Sequence, residues 1–310
     1  MGAPGILTKL QSVTGPIDPA DLGVTMPHEH TFLDAMREYR GDGLINDAEL
    51  VTGELAEYRA LGGRSIVDCT SRGLRPQPTL VRTVAEATGV TIILGTGFYR
   101  HPFLDEDWFD RHSTDEVADL IVRDIREGID GSGVRAGVIG EIGCDRYLTP
   151  AEERSFRAAA RAHHETGLTI TTHAARWAAV GVRQLDLLES EGVKPQRVIV
   201  GHCDMVPDMD AHANLAARGA WVQFDNIQGG NAYRMRWLMG AIRRLDEGGY
   251  VDRLLLSQDI CLTSQMRAFG GPGYGYILRE LRPLLRAEGF SEAWIERILV
   301  DNPAHALTGA

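Results

Sequence analysis

The chain has 310 residues, 44% of them hydrophobic, which is ample material for a sizeable core. Its formal net charge is −11 and no run of lysine or arginine appears, which disfavours nucleic acid or an anionic membrane surface as a partner. No apolar stretch approaches the roughly 18 residues of a spanning helix, and Met1-Gly2-Ala3-Pro4-Gly5 lacks the charged and apolar regions of a signal peptide.

The four cysteines (Cys69, Cys144, Cys203, Cys261) are far apart and form no Cys-x-x-Cys pair. A reduced, cytoplasmic protein is the expectation. Residues 6–23 read as a preamble, with one short strand in 6–13 and a second near Leu22. Turn chemistry at Gly15-Pro16-Ile17-Asp18-Pro19 lies between them. Thereafter short β-rich runs alternate with segments of helical periodicity. The runs lie at 23–28, 65–70, 91–97, 136–143, 168–173, 197–202, 220–225 and 253–259. Helices are expected near 47–61, 77–88, 114–129, 150–166, 180–192, 209–218, 232–246 and 274–287, with a last one at 291–300. Thr149-Pro150 ahead of Ala151-Glu152-Glu153 supplies an N-cap, a proline at N1 and acidic first-turn residues.

Helix after strand, eight times over, predicts an α/β fold: a (β/α)8 TIM barrel with a short N-terminal β-hairpin and an extra C-terminal helix. Nothing resembling a linker interrupts it, so residues 1–310 form one domain in this reading. The long intervals 31–46 and 98–113 are loops after the first and third strands. They fall on the face where such barrels build their sites.

Val24-Thr25-Met26-Pro27-His28-Glu29-His30 ends the first run with two imidazoles on one face, because strand side chains alternate. Glu141 lies near the end of run four, and His173, His202 and Asp259 end runs five, six and eight. Taken singly, a strand-end histidine more often hydrogen-bonds a neighbour. A carboxylate within Val138-Ile139-Gly140-Glu141-Ile142 is costly without a strong partner, and Asp259 after Leu254-Leu255-Leu256 is a similar conflict. Six such residues on one rim exceed what a single tetrahedral ion uses. They suit two divalent ions bridged by a carboxylate and a hydroxide.

The other histidines carry less. His163 and His164 lie in a last helical turn, where the dipole favours them. His112, His212 and His305 read as surface or helix-end residues, and His101 as a rim-loop residue. The cysteines read as small buried hydrophobes rather than ligands, with Cys203 facing away from the barrel interior. The glycines near 95–97 and 131–133 fail the dinucleotide fingerprint.

At this point the sequence resembles the phosphotriesterase-related family of the amidohydrolase superfamily. The residues that carry the resemblance begin with Gly15-Pro16-Ile17, Leu22 to His30, and Gly140-Glu141-Ile142-Gly143. Thr172-His173-Ala174, Gly201-His202-Cys203-Asp204, Ser257-Gln258-Asp259-Ile260 and Asp301-Asn302-Pro303-Ala304 continue it over nearly the whole chain. The resemblance implies that His28, His30 and Asp259 bind a more buried ion, His173 and His202 a more exposed one, and that Glu141 bridges both. Where the best-known organophosphate hydrolases and lactonases of the family use a carboxylated lysine as the bridge, Glu141 stands here. That resembles the glutamate-bridged branch, which includes animal phosphotriesterase-related proteins and bacterial homology proteins. A homodimer is implied by the resemblance alone.

The expected reaction is hydrolysis of a carboxylic ester, lactone or amide of a small molecule. Asp259 would be the catalytic group, accepting the proton of the hydroxide and passing it toward the leaving group. Zinc is the default ion for these ligands, with manganese, cobalt or iron as alternatives. Phosphoester or phosphotriester hydrolysis is the competing reading, and a non-catalytic metal-holding barrel that binds a small molecule is another. Tyr99, Arg267, Trp177 and Tyr274 are the candidate substrate contacts. Arg72, Arg75, Arg100 and Arg176 also fall in or near rim loops, which suggests an anionic substrate. Glu29, between the two histidines, is expected to face outward from the barrel with a structural role.

Overall fold

The structure, a computed structural model, describes residues 5–174 and 178–310. Two short strands open the chain, β1 (Leu10–Ser12) and β2 (Gly15–Ile17), paired antiparallel with Leu10 opposite Ile17. The second strand therefore forms earlier than the composition suggests. Gly15, at φ 132°, lets the chain reverse after Val13-Thr14, and Ser12 Oγ donates to its carbonyl at 2.7 Å. Leu22, the expected strand centre, is instead a buried core residue.

The alternating runs become β3 (Thr25–Glu29), β6 (Ser65–Asp68), β7 (Thr91–Thr96), β8 (Val138–Gly143), β9 (Ile170–His173), β10 (Val198–Val200), β11 (Trp221–Phe224) and β12 (Leu254–Leu256). They form one eight-stranded sheet in that order, each parallel to its neighbours. The first and last strands meet at a seam. Asp259 N donates to His28 O (3.2 Å), and the Glu29 carboxylate accepts from Gln258 N and Ile260 N, both at 2.9 Å. With this seam the sheet closes as a (β/α)8 TIM barrel. Glu29 is buried within the seam, and its burial pushes the carboxyl pKa up to about 7.

The first rim interval, expected to be plain loop, holds the small antiparallel pair β4 (Leu33–Asp34) and β5 (Leu44–Ile45), with α1 (Met36–Tyr39) between them. The covering helices are α2 (Ala48–Ala60), α3 (Pro78–Thr88), α5 (Thr114–Arg126), α6 (Pro150–Thr166), α7 (Ala178–Ser190), α8 (Met209–Arg218) and α9 (Ala232–Glu247). The short α4 (Glu106–Arg111) lies within the second rim interval. Thr149 and Glu152 close a capping box at the start of α6, and Gly167 ends it in the left-handed region at φ 76°.

After β12 a π-helical turn, Ile277–Leu281, leads into α10 (Arg282–Ala287). Then α11 (Glu292–Glu296) continues through Arg297–Asp301 into α12 (Asn302–Thr308), beyond the expected end at 300. Pro303 lies inside this continuous helical run, directly after the π-helical turn Arg297–Asp301, where the hydrogen-bond register shifts beside a residue with no N–H to give.

Ile66, Ile92 and Ile139 of the sheet share one core with Leu55, Val81, Ile121 and Phe156 of the helices. Each such burial contributes about 1.5–3 kcal/mol. Leu10, Leu22 and Leu307 pack with Val67, Ile93 and Val138, so the preamble and last helix plug the end opposite the rim loops. Strands β7 and β8 approach closely at Gly95, where a Cβ would lie 2.0 Å from Gly140 O. Among the described residues, no helix is long and apolar enough to cross a membrane.

Candidate metal centre

All six proposed ligands converge at the C-terminal mouth of the barrel. His28 lies within β3 and His30 one residue past it, Glu141 lies in β8, and His173 ends β9. His202 and Asp259 follow β10 and β12, both in the left-handed region at φ 55° and 52°. Such backbone costs on the order of 1–3 kcal/mol at a non-glycine residue, and it aims both side chains into the mouth.

Glu141 is at the centre. Its Oε2 lies 3.4 Å from His28 Nε2, 3.2 Å from His173 Nδ1 and 3.4 Å from His202 Nε2. Its Oε1 faces His30 Nε2 at 3.6 Å. Asp259 Oδ1 stands 3.2 Å from His30 Nε2 and 3.8 Å from His28 Nε2. The nitrogens His202 Nε2 and His173 Nδ1 are 2.8 Å apart. The trios His28–His30–Glu141 and Glu141–His173–His202 each bring their donor atoms within 4.8 Å of one another.

This donor set fits divalent metal. The imidazole Nε2 of His28 is buried with no hydrogen-bond partner among the described residues, the position of an atom that awaits a cation. Four imidazoles and two carboxylates are the ligand types that borderline divalent ions take. Burial alone would raise the Glu141 pKa, but the imidazoles of His28 and His173 hold it well below the usual carboxylate range. Asp259 is likewise held low against its burial, chiefly by the His30 hydrogen bond. Burial lowers His173, and His202 beside it adds to that.

Sequence reasoning passed over the residues that brace this set. Asp225, just past β11, takes His202 Nδ1 at 2.7 Å and lies 3.3 Å from His28 Nδ1. One buried carboxylate thus orients two imidazoles with their Nε2 atoms toward the centre, the usual role of an acid behind a metal-binding histidine. Burial opposes its charge, but His202 and His28 bring its pKa down to about 2. Gln223 Nε2 donates to the same carboxylate at 2.9 Å, and Thr70 Oγ1 is 2.9 Å from His30 Nδ1. The signal was present: in Trp221-Val222-Gln223-Phe224-Asp225 the polar residues alternate with apolar ones, as an inward-facing stripe would.

The candidate substrate contacts divide. Tyr99 is buried beside the centre with its hydroxyl 3.3 Å from His173 Nδ1. Tyr274 does not line the cavity: its hydroxyl is spent on His30 O at 2.6 Å, which makes it a brace behind the ligand loop. Arg267 does not reach the cavity either. Its Nη1 donates to Gly271 O and its Nε faces Glu57 at 3.6 Å, on the outer side of the last rim loop. Trp177 lies outside the described residues, as does Arg176. Arg72 is committed to Asp124 and Asp130, and Arg75 to Asp34. Among the described residues, Arg100 is the rim arginine that lines the cavity.

Of the remaining histidines, His101 pairs with Glu106 at the surface and His112 stacks on Trp108. His212, expected as a surface or helix-end residue, lies within α8 and is buried against Phe224. Cys69, Cys144 and Cys203 are buried as expected, with Cys203 packed toward α7 and α8. Cys261 is only half-buried and lines the cavity. That cavity has a volume of about 210 Å³ and runs outward from the centre past Leu33, Leu74, Phe103, Met205 and Leu262.

Known proteins share this architecture. The model of the Phosphotriesterase family matches residues 8–307. The phosphotriesterase homology protein of Escherichia coli K12 is 35% identical, over 91% of this chain and 97% of its own. The N-acetyltaurine hydrolase of Xenopus tropicalis is 28% identical, over 97% and 98%. A crystal structure of a lactonase from Listeria monocytogenes superposes with a TM-score of 0.89 at 28% identity, covering 97% of this chain and 99% of its own. The chain therefore belongs to the Phosphotriesterase family, as one of its hydrolases.

Proposed function

We propose that this enzyme hydrolyses an amide, lactone or ester bond at the carboxyl carbon of a small molecule, with two divalent ions in the barrel mouth. The observation that carries the reading is Glu141, whose carboxylate is shared by two donor trios, His28–His30–Glu141 and Glu141–His173–His202, each with its donor atoms within 4.8 Å of one another. In this reading His28, His30 and Asp259 hold the deeper ion, His173 and His202 the outer one, and Glu141 bridges them. Zinc is the ion these ligands favour by default. When bound, two such ions lower the pKa of a shared water and polarise the scissile carbonyl.

The chain's own groups do the rest. Asp259 accepts a proton from the attacking water and delivers it to the leaving group. Asn226 Nδ2, 3.4 Å from Asp259 Oδ2, steadies that carboxylate. The buried Tyr99 hydroxyl is positioned to donate to the substrate carbonyl. The N-acetyltaurine hydrolase and lactonase relatives support carboxyl chemistry, while an organophosphorus hydrolase from Deinococcus radiodurans, 31% identical, keeps phosphoryl chemistry as the competing reading.

Metal analysis should find two ions per chain, and a screen of lactones, N-acyl amino acids and aryl esters should reveal turnover. Asp259→Asn with both ions retained should remove most of it. Phosphotriesters turned over in preference to every carboxyl substrate, or a wild-type rate in the Asn variant, would overturn the corresponding part of the reading.

A further inference from the structure

Arg100 is set in the cavity wall with its side chain only 4% exposed. Its guanidinium carbon lies 5.2 Å from the Tyr99 ring centre and 5.3 Å from that of Phe103. Nη1 donates to Asp145 Oδ2 at 3.0 Å, and Nη2 donates to Glu38. Nε is buried and has no hydrogen-bond partner among the described residues.

The pattern is uneven in a telling way. Nε and Nη2 share one edge of the guanidinium, the fork that grips both oxygens of an oxyacid. Glu38 takes half of that fork through one oxygen and leaves the other donor orphaned. A buried donor without a partner costs about 1–3 kcal/mol, so the arrangement is incomplete. An acid group offering two oxygens to Nε and Nη2 would complete it, with Asp145 undisturbed on Nη1.

Glu38 is suited to give way. It sits on α1, a helix of four residues with no side-chain cap, and its side chain is 27% exposed. The surrounding loop is held by other bonds, Ala35 N to Gly43 O (2.7 Å) and Ser264 N to Asp42 Oδ1 (2.8 Å), so the Glu38 side chain is free to swing out while the loop stays.

We propose that Arg100 is the specificity residue of this cavity, reading a carboxylate or sulfonate on the substrate, and that Glu38 holds its place until substrate enters. The proposal rests on the hydrolase reading above and names its substrate class. Gly143 brings the Arg100 and His173 Cβ atoms together, since a Cβ at that glycine would lie 3.2 Å from each. The acid group therefore belongs within a few bonds of the scissile carbonyl. Short acyl compounds that end in an acid are the fit, and Leu33, Leu74 and Phe103 supply the apolar wall around the acyl chain.

The test is calorimetric titration of the metal-loaded enzyme with N-acetyl-β-alanine and with its neutral carboxamide, together with turnover of both. The acid should bind roughly tenfold or more tighter than the amide. Arg100→Gln should erase that difference through KM rather than kcat, and Glu38→Gln should strengthen acid binding several-fold by removing the competitor. Equal binding of the two compounds, no binding of either, or weaker acid binding in Glu38→Gln would overturn the proposal. So would tighter binding of N-acetylethylenediamine, whose cation would be read by Glu38 and Asp145 instead. Should Arg100→Gln fail to fold, the Glu38 variant decides alone. Charge-selective binding without turnover would sink the hydrolase reading and leave Arg100 its role, whereas turnover blind to charge would do the reverse.

Discussion

The two ends of the barrel use buried polar side chains in opposite ways. At the plugged end they donate to backbone. Arg197 reaches the carbonyls of Gly5, Gly167 and Thr308, Asn302 Nδ2 those of Val251 and Leu254, and Thr169 Oγ1 that of Ala306. Several of these carbonyls lie at helix C-termini, which have no intrahelical donor and carry the negative end of the dipole. At the open end, side chains face side chains: four imidazoles ring one carboxylate, and two of the six groups sit on left-handed backbone. The first arrangement ties strands to helices. The second concentrates imidazoles and carboxylates at one point, and these are the ligand types that divalent ions take. Substitutions at the two ends should therefore fail differently.

The largest effect is expected at Asp225. Its carboxylate serves His202 and His28 together, so Asp225→Asn disturbs both halves of the centre in one change. Partners behind metal-binding histidines typically contribute 10–100-fold to metal affinity or activity. The variant should fall in that range, read as ions retained after dialysis and as kcat/KM, with an unchanged circular dichroism spectrum. A variant that keeps its metal but loses its fold would erase the contrast, because the open end would then be a stability element like the other.

The barrel and the meeting of six strand-end residues were legible because both follow from period. A strand faces one way every second residue, and a β/α unit returns the chain to the same rim. Asp225 was legible by the same logic and passed unweighed, since it is not followed by an obvious motif. The rim loops were not legible. Whether Arg100, Arg267 or Arg72 reaches the cavity depends on which carboxylate captures it, and Glu38, Glu57 and Asp124 come from other loops and helices. Nothing local in the sequence encodes those pairings. Tyr274 misled for a related reason: an aromatic near a strand end reads as a wall residue, whereas its hydroxyl found the His30 carbonyl. Glu29 had no visible partner because the seam joins the two ends of the sheet.

At the plugged end the clearest probe is Arg197→Met. It keeps the apolar stem and removes the guanidinium N–H groups that reach Gly5, Gly167 and Thr308. Hydrogen bonds from a charged donor contribute about 1.5–3 kcal/mol each when lost, and the Gly167 carbonyl left behind belongs to a buried residue. A loss of roughly 2–4 kcal/mol is expected from the urea midpoint, within the range of a disrupted buried network. Turnover per folded molecule should be unchanged. A drop in kcat at full folding would show that strain at this end reaches the centre.

The smallest effect is confined to acid. His163 is buried at the end of α6, with Nδ1 2.7 Å from Leu168 O, and burial brings its pKa down to about 4. The unfolded chain holds its proton near the ordinary value of 6.5. Because the folded value is the lower one, His163 has no destabilising effect above pH 6.5. Its penalty grows as pH falls toward 4, since the unfolded state takes up the proton first. At pH 4.5 that amounts to on the order of 2 kcal/mol. His163→Gln, which keeps a donor for the Leu168 carbonyl, should flatten the loss of stability between pH 6.5 and 4 and change nothing at pH 7.5. Bound cations would add their own pH dependence through the imidazoles and carboxylates of the mouth, so the measurement belongs on urea midpoints of metal-free wild type and variant compared at each pH. A variant profile parallel to the wild type would show that His163 contributes nothing to the acid sensitivity.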